Sequence, residues 1–131
     1  MKIWSLLGSG FIVIAIFFIF NRRQDSLESK LQKAIEKGNT ALAKSFIDQG
    51  ADIKNKILGS TPLAWAVLWG NSELVQYLLE RGSDISQRTE EGDLIKTAEF
   101  GKGEADEDEK ARYDELIQFL KIQIAKVPGT F

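Results

Sequence analysis

The sequence predicts an all-α solenoid of short helix pairs carried on one N-terminal membrane helix, and three observations predict it. Residues 59–82, GSTPLAWAVLWGNSELVQYLLERG, read as one complete helix-turn-helix unit. The chain repeats that unit at an interval of thirty-two residues. Ahead of both copies stands an uncharged apolar run over residues 3–20.

The bulk numbers narrow the functional classes. At 131 residues the chain has room for one domain plus attachments. Its formal net charge of −2 argues against a general nucleic-acid binder. With neither cysteine nor histidine, Cys/His zinc sites, thiol catalysis and Ser-His-Asp triads are excluded. No carboxylate or hydroxyl stands at a recognisable spacing from a general base, and no glycine loop has a phosphate-cradling pattern. The chain therefore reads as non-enzymatic, with no cofactor, metal or small-molecule substrate expected.

Residues 1–23 form the N-terminal attachment. As a helix, the eighteen residues IWSLLGSGFIVIAIFFIF would span about 27 Å, close to the thickness of a bilayer's hydrocarbon core. A removable signal peptide is the competing reading. The run exceeds the usual ~7–15 apolar residues, and Phe18-Ile19-Phe20-Asn21-Arg22 offers no small-x-small cleavage site, so an uncleaved single-pass anchor is expected. Arg22, Arg23, Lys30, Lys33 and Lys37 follow the run, against Lys2 before it. That asymmetry favours a cytoplasmic domain, although so short an N-terminal tail is also compatible with a periplasmic or extracellular one.

Residues 24–131 form the domain. In residues 59–82, Thr61 can cap a helix whose first residue is Pro62, a position where the missing N–H had no partner. Leu63, Ala66 and Val67 share one face, and Gly70-Asn71 stops the helix. Asn71 or Ser72 starts the second helix, buried through Leu74, Val75, Leu78 and Leu79, and Arg81-Gly82 ends it. One repeat earlier, Leu31, Ala34, Gly38, Asn39, Phe46, Ile47 and Gly50 occupy the matching places. Leu27, Leu31, Ala34 and Ile35 are its predicted inner stripe, with Leu42, Phe46 and Ile47 burying the second helix over 40–49. A helix pair this short cannot bury its apolar face alone, so the copies are expected to stack.

These landmarks, G-S-T-P-L-A-W-A at 59–66, then Gly70-Asn71, then Leu78-Leu79-Glu80-Arg81-Gly82-Ser83-Asp84-Ile85, resemble an ankyrin repeat. Three repeats are expected, at about 27–55, 56–88 and 89–126. The first lacks the Thr-Pro-Leu opening and reads as a cap. In the third, Asp93 replaces Thr61 as helix cap, and the second helix arrives about ten residues late, behind an acidic insert at 101–110. That helix is expected to run to Ala125 or Lys126. The insert fails as a calcium loop, since Asp106 and Asp108 lack the remaining ligand spacing. A solvated mobile loop whose last residues begin the next helix is the favoured reading, with a contact for a basic partner as the alternative. Residues 84–115 hold twelve acidic and five basic side chains, so that end of the domain attracts basic surfaces.

The resemblance implies a protein-protein interaction module that binds through a concave face and turn tips. Leu68 and Trp69, just before the glycine that ends the first helix, would lie toward that face, aligned with Glu36 and Lys37 in repeat one and with Phe100 and Gly101 in repeat three. Ile57 and Leu58, at the turn tip, belong to the same candidate surface. The alternative is that the insert or the C-terminal tail folds over Leu68 and Trp69, or that Trp69 packs on a neighbouring helix. Trp65 reads as core. The implied role is a membrane-tethered adaptor or inhibitor of a protein partner. Two alternatives stay open: an immunity protein neutralising a co-encoded toxin, which small membrane-anchored ankyrin proteins resemble, and a structural subunit of a membrane complex.

Overall fold

The computed structural model describes residues 12–17 and 26–128. Most of the apolar run at 3–20 therefore lies outside the described residues. Its described part, 12–17, is helical, with the side chains of Ile12, Val13, Ile14, Ile16 and Phe17 exposed. Among the described residues no helix is long and apolar enough to cross a membrane.

The domain is a stack of three helix pairs. In the first, α1 (Leu27–Glu36) is capped by Ser26 and α2 (Thr40–Asp48) by Asn39. In the second, α3 (Pro62–Leu68) follows Thr61, whose hydroxyl accepts from the Ala64 N–H at 3.3 Å, and α4 (Ser72–Glu80) is capped by Asn71. Asn39 and Asn71 each accept from the N–H three residues on at 3.1 Å, so the two repeats use one device at one register. The same holds where the first helices stop. Gly38 and Gly70 sit at φ 69° and 67°, and the next N–H reaches back to Ala34 O and Ala66 O at 2.9 Å. This closure needs a left-handed residue and thus glycine.

Leu31, Ile35, Leu63, Ala66, Val67, Leu74, Val75 and Leu78 are buried in one core that continues through Leu94, Ala98, Leu116 and Leu120. The first helices α1, α3 and α5 (Leu94–Glu104) pack side by side, and α2 packs on α4. Asn71 Nδ2 donates to Thr40 Oγ1 at 2.8 Å, and Lys44 Nζ meets Glu73 at 2.5 Å across that seam.

Three expectations need correction. Leu42 is 43% exposed while Ala43 is buried: the place that Leu74 fills inside the stack falls, one repeat earlier, on its outer flank. Small antiparallel pairings also join the repeats, with Ile57 bridging Ser60, and β1 (Arg88–Thr89) pairing with β2 (Gly92–Asp93) at equivalent positions, so the helical stack carries short hairpins.

The acidic insert is not a ten-residue loop. Helix α5 runs through to Glu104 and α6 (Glu107–Ala125) begins three residues later, leaving Ala105-Asp106 as the joint. The glycine that stops α1 and α3 is replaced at the matching place by Lys102, for which the left-handed conformation is costly, so the helix continues. The acidic residues Glu107, Asp108 and Glu109 occupy the first turn of α6, where the helix dipole favours negative charge.

Candidate functional site

Leu68 ends α3 and Trp69 is its C-cap, so the helix terminus itself presents this pair. Trp69 is 48% exposed and Phe100, one repeat along on α5, is 52% exposed. With Leu68 they line a hollow of about 310 Å³ closed by Gly101, Glu104, Ala105, Glu109, Arg112 and Tyr113. The insert and the start of α6 therefore wall the aromatic pair without covering it. Glu36 and Lys37 line an adjoining hollow with Trp69, Asn71 and Glu73. Ile57 and Leu58 line a third, against Gln32 and Glu36 of α1, and Leu58 also borders a fourth with Ala64, Trp65 and Leu68. Because Leu58, Leu68, Trp69 and Glu36 are each shared between two hollows, these form one continuous surface. Every residue singled out at the sequence level borders it.

The turn tip is unusual. Leu58 is 78% exposed at φ 53°, the one non-glycine residue with positive φ among those described. An L-residue pays about 1–2 kcal/mol there. The tip is held from below: Trp65 is packed against the core as expected, and its indole N–H donates to Ile57 O at 2.8 Å.

The wall is held by a residue that sequence reasoning missed. Tyr113 is buried on α6 and its hydroxyl donates at 2.7 Å to Leu68 O, one of the α3 carbonyls with no partner inside the helix. A Cβ at Gly70 would fall 2.8 Å from the Tyr113 ring. At Gly101 it would overlap Leu68 O and fall 2.8 Å from Tyr113 Cε1, so glycine is what lets α5 pass this close to α3. Burial raises the Tyr113 pKa, with the Arg112 guanidinium opposing, and the phenol stays protonated as the donor. One signal was available: at the forty-two-residue offset Tyr113 stands where Asn71 caps α4, and an aromatic ring cannot serve as that cap.

Chemically, the hollow at Trp69 and Phe100 is mainly apolar, and the hollows that adjoin it mix polar and apolar lining and carry carboxylates. Among the described residues no group of carboxylates is arranged to hold a metal ion. The surface offers rings, a leucine tip and acceptors, which is the equipment of a binding surface.

Residues 9–89 match the family described as Ankyrin repeats (3 copies), more than half of the chain. The chain belongs to the ankyrin-repeat family. The match covers the first two helix pairs and part of the apolar run. The third ankyrin-like pair lies outside it and joins the stack through α5 and the Tyr113 bond. Similar proteins include the ankyrin repeat, SAM and basic leucine zipper domain-containing protein 1 of Oryctolagus cuniculus, 34% identical over 55% of this chain and 15% of the relative. Its Mus musculus counterpart is 38% identical over 42% of this chain and 12% of the relative. The potassium channel AKT1 of Arabidopsis thaliana is 30% identical over 70% of this chain and 10% of the channel. The chain thus spans about 15% or less of the length of these relatives.

Proposed function

We propose that this chain is a membrane-tethered adaptor or inhibitor that holds a protein partner on the surface running from the Ile57-Leu58 tip across Leu68 and Trp69 to Phe100. Ankyrin repeats are in general protein-protein interaction modules. The observation that carries the finer reading is the pair Trp69 and Phe100, half-exposed on one apolar hollow at successive repeats. Tryptophan is enriched among residues that dominate binding energy, and exposed apolar groups that cluster mark interaction sites. The uncharged run at 3–20 and the exposed apolar side chains of helical residues 12–17 support the tether. The basic residues that follow the run support a cytoplasmic domain.

The test is Leu68→Glu with Trp69→Glu in the full chain, purified from native membranes after crosslinking. Helical circular dichroism is expected to survive, because Trp69 is half-exposed, and the crosslinked partner is expected to disappear. A partner that is retained sinks the surface assignment. Protease protection of sealed vesicles decides the side of the membrane, with cleavage from the cytoplasmic face expected.

A further inference from the structure

The apolar hollow has an acidic surround, and the two together describe the partner. We propose that the bound segment is cationic, preferentially arginine-bearing, with an aromatic or aliphatic anchor that seats between Trp69 and Phe100. This rests on the surface being a protein-binding one.

Two observations support it. First, the joined hollows carry seven carboxylates against three cations, Lys33, Lys37 and Arg112, so this surface is more negative than the chain as a whole, whose net charge is −2. A field of one sign attracts the opposite one and repels acidic competitors.

Second, among the described residues ion pairs are seen at two of these carboxylates. Arg112 pairs with Glu109 at 3.3 Å and Lys44 with Glu73 at 2.5 Å. Glu104 beside Phe100, and Glu115 on the exposed side of α6, make no ion pair among the described residues. Glu104 lines the hollow of Trp69 and Phe100, and Glu115 the adjoining hollow that Trp69 also borders, so a cation paired with either one sits in a hollow that holds an aromatic ring. Guanidinium suits that arrangement better than ammonium, since it stacks on rings and binds carboxylates through two N–H groups.

The test pans a random displayed peptide library on the full chain in phosphatidylcholine nanodiscs, with empty discs as counter-selection, and measures the affinity of individual clones. Expected clones combine arginine or lysine with a large apolar residue, weaken with rising salt, and lose at least about tenfold in affinity with Leu68→Glu and Trp69→Glu. They also lose about tenfold or more with Glu104→Lys and Glu115→Lys, exposed positions whose replacement leaves the circular dichroism unchanged. Clones that need Trp69 but are neutral or acidic overturn the cationic partner and leave the binding surface standing. Clones indifferent to Trp69, or none at all, overturn both.

Discussion

Replacing Tyr113 by phenylalanine isolates one hydrogen bond on which the third repeat depends. The ring is retained, so the packing against Gly70 and Gly101 is unchanged, and only the hydroxyl that donates to Leu68 O at 2.7 Å is removed. A neutral hydrogen bond contributes about 0.5–1.5 kcal/mol net, and leaving a screened carbonyl without its donor adds to that, so a loss of about 1–2 kcal/mol is expected. For a domain of this size each kcal/mol lowers Tm by about 4–8 °C, which places the drop at roughly 5–15 °C. The assay is thermal unfolding of the full chain followed by far-ultraviolet circular dichroism. Tyr77→Phe is the control: its hydroxyl bonds Asp48 in a solvated cluster with Arg81, and the change is expected to lower Tm much less than Tyr113→Phe does. If Tyr113→Phe melts with the wild type, or no lower than Tyr77→Phe, the hydroxyl does not hold α6 to α3 and the wall of the hollow is not fixed by it.

Gly101→Ala forces a methyl group into Leu68 O and the Tyr113 ring, and is expected to cost about 1–3 kcal/mol in urea unfolding, with coupling to Tyr113→Phe in a double-mutant cycle. Leu58→Gly relieves the positive φ at an exposed tip. After glycine's own entropic cost, it is expected to stabilise by about 0.5–1 kcal/mol while weakening partner capture. Stability is expected to fall on acidification. The Asp52 N–H bonded to Glu28 at 2.8 Å, the hydroxyl and N–H of Ser86 on Asp84, and Tyr77 with Arg81 on Asp48 each hold a carboxyl below its ordinary value. Groups depressed in the folded state stabilise it above their ordinary values of 4.5 for Glu and 3.8 for Asp, and lose that contribution as the pH falls through them toward the depressed ones. Urea midpoints from neutral to acid pH check this, and Glu28→Gln is expected to flatten the profile.

Local rules made most of the first two repeats legible. Thr61-Pro62, the paired Asn caps and the glycines at helix ends act within one turn of the backbone, and the buried leucines follow from helical spacing. That Glu36, Leu68 and Phe100 border joined hollows was legible too, because the repeat register brings them to one side wherever the stack closes. Leu42 was misread because its spacing equals that of Leu74 and only the neighbouring repeat distinguishes them. The last residues of the insert begin a helix as expected, suited to it by the helix dipole and two i,i+3 pairs, Glu107 with Lys110 and Glu109 with Arg112, but its first residues were misread as loop because two glycines there suggest a stop, whereas α5 continues to Glu104.

The sequence alone thus determined the repeat, its caps and its core stripe, since each is set by residues a turn or a register apart. Tertiary structure decided the rest. The Tyr113 contact with Leu68 spans forty-five positions and has no period to betray it. Gln32 becomes an orphaned acceptor only once α1 is buried by its neighbours. Whether Trp69 was core or surface depended on where α6 lay, and α6 lies beside it, held by Leu116, Ile117 and Leu120 in the shared core and by the Tyr113 phenol.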